Sequence, residues 1–280
     1  MLESKLTGLQ EQAASALDLA PDAEALEAVR KAAAVTPQNE KLYAFVADAC
    51  MEQQDYALGL KVVNLGLRNL PQSPRLHYER GIFLNQLEQY DQAKADFALV
   101  RKLAPESDIA YQSGAHEALI EGNMPEAIRV AREGIQHGHE GYFLFTILGE
   151  ALIRTGASPG QAEFAEAQAA LQKAVAARPD DSGSRIALAK LYLMAGSLDD
   201  AILHLEKARQ LKPGNATVYS NLAKAYQRRG DLEHAQEMLA ILEELNQAKA
   251  DKIRSAPGDR KASYTGPGVE PDTEDGPPPP

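Results

Sequence analysis

A break recurs along the chain at a fixed interval. Pro37, Pro71 and Pro105 each follow a run of helix-forming residues and stand 34 apart, Pro179 and Pro213 repeat the interval, and His139 falls 34 after Pro105. The step from His139 to Pro179 is longer by six, one period with an insertion, and one more regular step from Pro213 reaches Gln247. A fixed period in this range marks an array of supersecondary units, each able to bury its apolar face only against its neighbours. Ala, Leu, Glu, Gln and Lys dominate and β-branched residues are sparse, so the units are helical. A proline just past a helix end removes a donor and cannot extend the helix, so each break turns the chain into the next antiparallel helix. In "LKPGNATVYSNLAKAY" the Gly214-Asn215 pair supplies that turn.

Within each period small and large residues also recur. Twenty-four before the break stand Ala13, Ala47, Gly81, Ala115, Gly149, Ala189 and Ala223, the Gly149 offset including the insertion. Twelve before it stand Ala25, Gly59, Ala93, Ala127, Ala167, Ala201 and Ala235. Val29, Val63, Phe97, Leu171, Leu205 and Leu239 lie eight before it, and Tyr43, Tyr111, Phe145 and Tyr219 near the start of the period. Small residues let helices approach and large ones fill the grooves beside them.

The pattern resembles the tetratricopeptide repeat, whose consensus sets an aromatic, Leu-Gly, Tyr, Ala, Phe, Ala and a closing Pro over a period of the same length. "LHYERGIFLNQLEQYDQAKADFALVRKLAP" and "YSNLAKAYQRRGDLEHAQEML" carry the match. The resemblance covers roughly residues 6 to 247 as seven repeats, and implies an all-α fold, an α-solenoid in which antiparallel helix pairs wind into a right-handed superhelix. The expected organisation is a solenoid over 1–254, closed by a long last helix through Leu239, Leu242, Leu245 and Ile253, and a Pro/Gly/acidic tail over 255–280 with too few apolar residues to order.

Departures from the consensus have local readings. Gln12, Ala16 and Pro21 make the first repeat a polar cap. Gly114 and Ala131 stand where bulk is expected, so the fourth repeat is expected to be the loosest. In the insertion, Ser158, Pro159 and Gln161 read as an N-cap, a first-turn proline and a capping-box partner, with the second helix starting early after a longer loop.

Charge and composition narrow the function. A net charge of -11 sets phosphate backbones and anionic membranes against the chain. No apolar run approaches the roughly 20 residues needed to cross a bilayer. The opening residues lack a secretory signal and Cys50 can form no internal disulfide, which points to the cytoplasm. His137, His139 and Glu140 could hold a metal, but a solvated helix end outweighs that reading; His204 and His234 read as surface residues, His77 as packed, and Cys50 as a small buried apolar residue. No nucleophile motif, phosphate loop or carboxylate pair is present, so no catalysis, cofactor or metal is expected.

The working surface is therefore expected on the concave side, which first helices line in such arrays. The resemblance implies that positions two, five, six, nine, twelve and thirteen of each repeat face it. These offer Glu11, Asp48, Glu52 and Glu79 toward the N-terminus, then Ile109, Phe143, Ile147 and Ile186 with Gln112, His116 and Thr146. Glu150 and Arg154 follow, and Lys190, Asn221, Lys224 and Arg228 end the row. A peptide or protein segment of complementary polarity is the expected ligand. The Lys/Asn arrangement of chaperone-tail clamps is absent as a consecutive trio, and of an Asn ladder only Asn221 is present. The alternatives are a self-assembling subunit and the regulatory arm of a larger enzyme. The tail's Glu270, Asp272, Glu274 and Asp275 are expected to reach the basic end of the groove.

Overall fold

A computed structural model describes residues 22–53 and 55–255, and among them the chain is an all-α solenoid of thirteen helices. In chain order these are α1 (Asp22–Val35), α2 (Glu40–Glu52), α3 (Tyr56–Asn69), α4 (Pro74–Gln86), α5 (Tyr90–Leu103), α6 (Asp108–Ile120) and α7 (Met124–Gln136). They continue as α8 (Tyr142–Arg154), α9 (Ala162–Ala177), α10 (Ser182–Ala195), α11 (Leu198–Leu211), α12 (Ala216–Arg229) and α13 (Leu232–Ser255). The polar cap with Gln12, Ala16 and Pro21, the groove candidate Glu11, and the tail with its expected disorder and its contact to the groove, lie outside the described residues.

Local chemistry starts and stops these helices. Asp55, Ser73, Ser107, Asn123, Asp181 and Asn215 each accept a hydrogen bond from a first-turn backbone N–H, satisfying donors that the helix cannot. Gly196 and Gly230 end α10 and α12 at φ 80° and 85°, left-handed conformations that favour glycine. In the insertion, Ser158 N–H donates to Gln161 Oε1 at 2.8 Å, yet the helix starts only at Ala162 with Gln161 at the cap. The start is still early: measured back from the break, Ala162 before Pro179 begins its helix two positions sooner than Leu198 before Pro213.

The small positions do what their size allows. A Cβ on Gly81 would lie 2.6 Å from Phe97 Cε1, and one on Gly149 2.4 Å from Leu171 Cγ. Val29, Val63, Phe97, Leu171 and Leu205 are fully buried. Leu239, their counterpart on α13, is 53% exposed, because no further repeat follows it among the described residues; Met238 turns into the core instead. In the fourth repeat Ala131 is fully buried in a continuous apolar cluster, and a Cβ at Gly114 would already meet Val130 at 3.3 Å.

A device that the spacing does not announce ties four of the breaks to the helix after them. Tyr43, His77, Arg185 and Tyr219 stand six places after Pro37, Pro71, Pro179 and Pro213, and the side chain of each hydrogen-bonds that proline's carbonyl oxygen at 2.7 to 3.0 Å. In the third repeat the same His77 also meets Asp96, which lies buried under a two-pronged contact from Arg80 at 2.7 Å.

Candidate ligand groove

The curvature follows from which helices touch. Each first helix, from α2 through α12, packs against the first helix of the next repeat, whereas beyond α3 the second helices make no such direct contact with each other among the described residues. A stack with a touching row and a splayed row bends toward the touching one, so α2, α4, α6, α8, α10 and α12 line the inside. The arms come round far enough that Gln53 shares a hollow of about 490 Å³ with Asp180 and Leu211 to Asn215.

The inner face opens on carboxylates. Asp48 on α2 is exposed, and Glu79 on α4 is mostly buried, with Arg75 between them at 3.9 and 3.6 Å. Burial, reinforced by Asp48 and only partly countered by Arg75, raises the Glu79 carboxyl to about 7. Glu52 belongs to the same expected group, but its side chain lies outside the described residues.

Aromatic rings fill the centre. His116 on α6 stacks on Phe97 at 5.5 Å and 9°, and lies 4.4 Å from the Phe143 ring of α8 and 5.7 Å from Tyr78 of α4. Burial holds its imidazole neutral, lowering it to about 3. Gln112 donates to Asp108 Oδ2 at 2.6 Å, and Ile109, Gln112 and Phe143 are half-buried. Thr146 is spent internally, on the Tyr142 carbonyl and Ser184.

Three predicted lining residues do not line the groove. Ile147 and Ile186 are 2% and 7% exposed, packed into the core, and Asn221 is 7% exposed with its amide donating to the Thr217 carbonyl at 2.8 Å. Beyond the centre, Glu150 is pushed up by burial, with Lys190 and Arg154 pulling it down, and Arg154, Lys190, Lys224 and Arg228 are exposed, Arg228 donating to the Leu193 carbonyl. The same positional rule reaches Phe45, Arg75 and Tyr78, which the sequence reading passes over; Phe45 is 45% exposed. Asp108, one place off the rule, carries no periodic signal.

Other candidates resolve into packing. His137 bonds the Tyr111 hydroxyl, His139 bonds the Glu106 carbonyl, and His204 and His234 lie over Tyr192 and Tyr226. Cys50 is fully buried in an apolar cluster. Among the described residues no group of three or more His, Cys, Asp or Glu is placed to hold a metal, and no helix is long and apolar enough to cross a membrane.

Two family models described as tetratricopeptide repeat match residues 160–216 and 193–255. No curated protein matches the sequence. Among solved structures, the chain aligns with the Cut9–Hcn1 hetero-tetramer of the APC/C at a TM-score of 0.64 and 19% identity, over 82% of this chain and 44% of that one. It aligns with yeast Tom70 at 0.57 and 20%, over 90% of this chain and 55% of that one. With TTC0263, a thermophilic TPR protein of Thermus thermophilus, the values are 0.55 and 22%, over 65% and 96%. The chain thus spans about half the length of the first two. At these identities the likeness is one of fold.

Proposed function

The chain is a tetratricopeptide-repeat protein, and from that premise we propose that it is a non-catalytic scaffold that holds a peptide or protein segment along its concave groove. The observation that carries the reading is the order of charge on that face: Asp48 and Glu79 on α2 and α4, aromatic rings at the centre, and Lys190, Lys224 and Arg228 on α10 and α12. A segment with basic, apolar and acidic stretches in that sequence is complementary to it, and such matching fixes orientation and speeds encounter more than it adds affinity. The Cut9–Hcn1 relative, itself part of a hetero-tetramer, is in keeping with a role in assembly.

A photo-crosslinking residue placed at Lys190, on the inner face, and at Leu203, 67% exposed on second helix α11, tests the reading in native lysate. Protein adducts from position 190 and few from 203 are expected. Adducts from 203 alone would overturn it. One observation favours self-assembly as a second reading: Leu232 and Leu239 on α13 are 60% and 53% exposed. Light scattering separates the two, since end-to-end association would raise the mass with concentration.

A further inference from the structure

The C-terminal end of the inner face is a grid of three residue pairs. Glu150 and Arg154 on α8, Lys190 and Met194 on α10, and Lys224 and Arg228 on α12 are each four residues apart, so each pair shares one face of its helix. Lys190 to Lys224 and Met194 to Arg228 step by 34, and Glu150 to Lys190 and Arg154 to Met194 by 40, the period with its insertion. The pairs therefore hold equivalent places in successive repeats. Arg154, Lys190, Lys224 and Arg228 are exposed, and Met194, 42% exposed, stands between Arg154 and Arg228 in the same row.

The cations of this grid lack acidic partners. The chain carries 40 acidic residues against 29 Lys and Arg, and elsewhere its arginines close on carboxylates: Arg80 on Asp96 at 2.7 Å, Arg132 on Glu166 at 2.6 Å, Arg209 on Glu206 at 2.7 Å. Among the described residues Arg154, Lys190 and Lys224 make no hydrogen bond or ion pair, and Arg228 reaches the Leu193 carbonyl, next to Met194. Glu150, the one acid of the grid, is half-buried and forms no ion pair among the described residues; burial pushes its carboxyl up although Lys190 and Arg154 pull it down. Four positive charges around an exposed, adaptable thioether are complementary to an acidic segment that carries an apolar residue.

The same chain contains such a segment. Residues 256–280 lie outside the described residues, and in their sequence Val269 is followed by Glu270, Asp272, Glu274 and Asp275 with no Lys or Arg among them. We infer that residues 269–275 occupy the grid of their own chain, Val269 against Met194 and the carboxylates against Arg154, Lys190, Lys224 and Arg228, and that a partner's acidic stretch binds by displacing them. The assignment rests on the groove reading above and adds the regulation of that groove.

The chain between is long enough. α12 turns at Gly230 into α13, which packs back along it, so the level of Lys224 falls about six residues into α13 and Ser255 lies roughly 27 Å beyond that level at 1.5 Å per residue. Counted as coil, the 14 residues from Ala256 to Val269 span about 20 Å root-mean-square and about 45 Å at full stretch. No further repeat follows α13 among the described residues, so no helix among them bars the way from Ser255 round the end of the array to α12. Tethering gives the segment a roughly millimolar effective concentration, at which contacts too weak to hold a free peptide are populated. The tail of a second copy is the other source of the same chemistry, and concentration separates the two.

The test places a nitroxide at Thr273→Cys in the full chain, Cys50 being fully buried and inert to the label, and reads paramagnetic broadening of backbone amides at low salt. Broadening around residues 154, 190, 194, 224 and 228 is expected, independent of protein concentration, and it should fade by about 0.5 M salt. Neutralising the tail with Glu270→Gln, Asp272→Asn, Glu274→Gln and Asp275→Asn should abolish it, with an unchanged melting curve. The same change should raise the affinity for acetyl-Glu-Leu-Asp-Glu-amide by about fivefold or more at low salt. Inner-face amides no more broadened than those around Leu203 on the outer row, or equal peptide affinity in the two chains, overturn the inference. So does equal broadening when the nitroxide sits on one copy and the observed amides on another, since the tail then acts between copies. If the peptide shifts residues 190 and 224 alike in both chains and no broadening occurs, the groove reading stands and the tail contact falls. If no peptide shifts the inner face in either chain and crosslinks arise only from position 203, both fall.

Discussion

The Tyr219 hydroxyl donates a hydrogen bond to the Pro213 carbonyl oxygen at 2.8 Å, tying the start of α12 to the break that precedes it. Tyr43 makes the same contact to Pro37 at 3.0 Å and in addition accepts from the Asn69 amide at 2.8 Å. The contact makes the proline break a joint with a fixed angle, since the carbonyl it satisfies belongs to the turn and the ring belongs to the next helix.

Tyr219→Phe keeps the ring and removes the tie. A loss of about 1 kcal/mol is expected, the usual net worth of one such bond. Tyr43→Phe should cost more, because Asn69 also loses its acceptor. Urea melts of the two variants check the order; an unchanged midpoint in both would mean that the joint is held by packing alone.

How far the sequence reads the fold depends on what sets each position. Gly81 and Gly149 must be small because a ring and a leucine sit where a Cβ would go, and such positions recur with the period whatever their neighbours are. Leu239 breaks the pattern for the opposite reason: the spacing places it, but the helix that would bury it does not follow among the described residues. In the groove, Lys190, Lys224 and Arg228 are exposed as their helix positions imply. Ile147, Ile186 and Asn221 are not, because their helix turns them toward neighbours whose distance no spacing rule supplies. The Glu79 environment is hidden for the same reason, since its raised carboxyl comes first from burial and then from Asp48, which belongs to the repeat before it.

Gly81→Ala tests the close approach of α4 and α5. The new methyl would lie 2.6 Å from the Phe97 ring, which is fully buried and stacked on His116, so the strain has nowhere to go but the groove centre. Overpacking of this kind costs roughly 1–3 kcal/mol. The expected result is a lowered melting temperature together with shifted resonances around residue 116; a melt equal to wild type would contradict the packing.

Asp96 offers a test of the buried network in the third repeat. Burial alone would raise its carboxyl, and the hydrogen bonds from Arg80 and His77 outweigh that and hold it below its ordinary range. A carboxyl lowered in the folded state stabilises above its unfolded value, and that contribution is lost as pH falls through it. Asp96→Asn strips the charge while Arg80 and His77 remain, at a cost of roughly 3 kcal/mol at pH 7. The penalty should shrink below pH 4, where wild type loses the same charge. A penalty constant from pH 7 to pH 3 would count against the ion pair.

Glu79 and His116 titrate in opposite senses, and their variants should separate the two. The Glu79 carboxyl is raised to about 7 from 4.5, so the unfolded chain loses its proton first; stability is full below about 4.5 and falls as pH climbs through 7. Glu79→Gln should therefore leave acid stability unchanged and add on the order of 2 kcal/mol above pH 7, a figure kept below the full shift because the side chain is 15% exposed. His116 is lowered to about 3 from 6.5, so the unfolded chain takes up a proton that the folded chain refuses, and stability falls as pH drops from about 6.5 toward 3. His116→Phe keeps a ring against Phe97 and Phe143 and removes both that proton uptake and the unpaired Nε2, so it should gain stability most at pH 4 to 5. Thermal melts across pH 4 to 8 decide both points. If His116→Phe gained no more at pH 4 than at pH 8, the imidazole would have found water or a partner in solution, and the burial of its Nε2 without a partner would have to be abandoned.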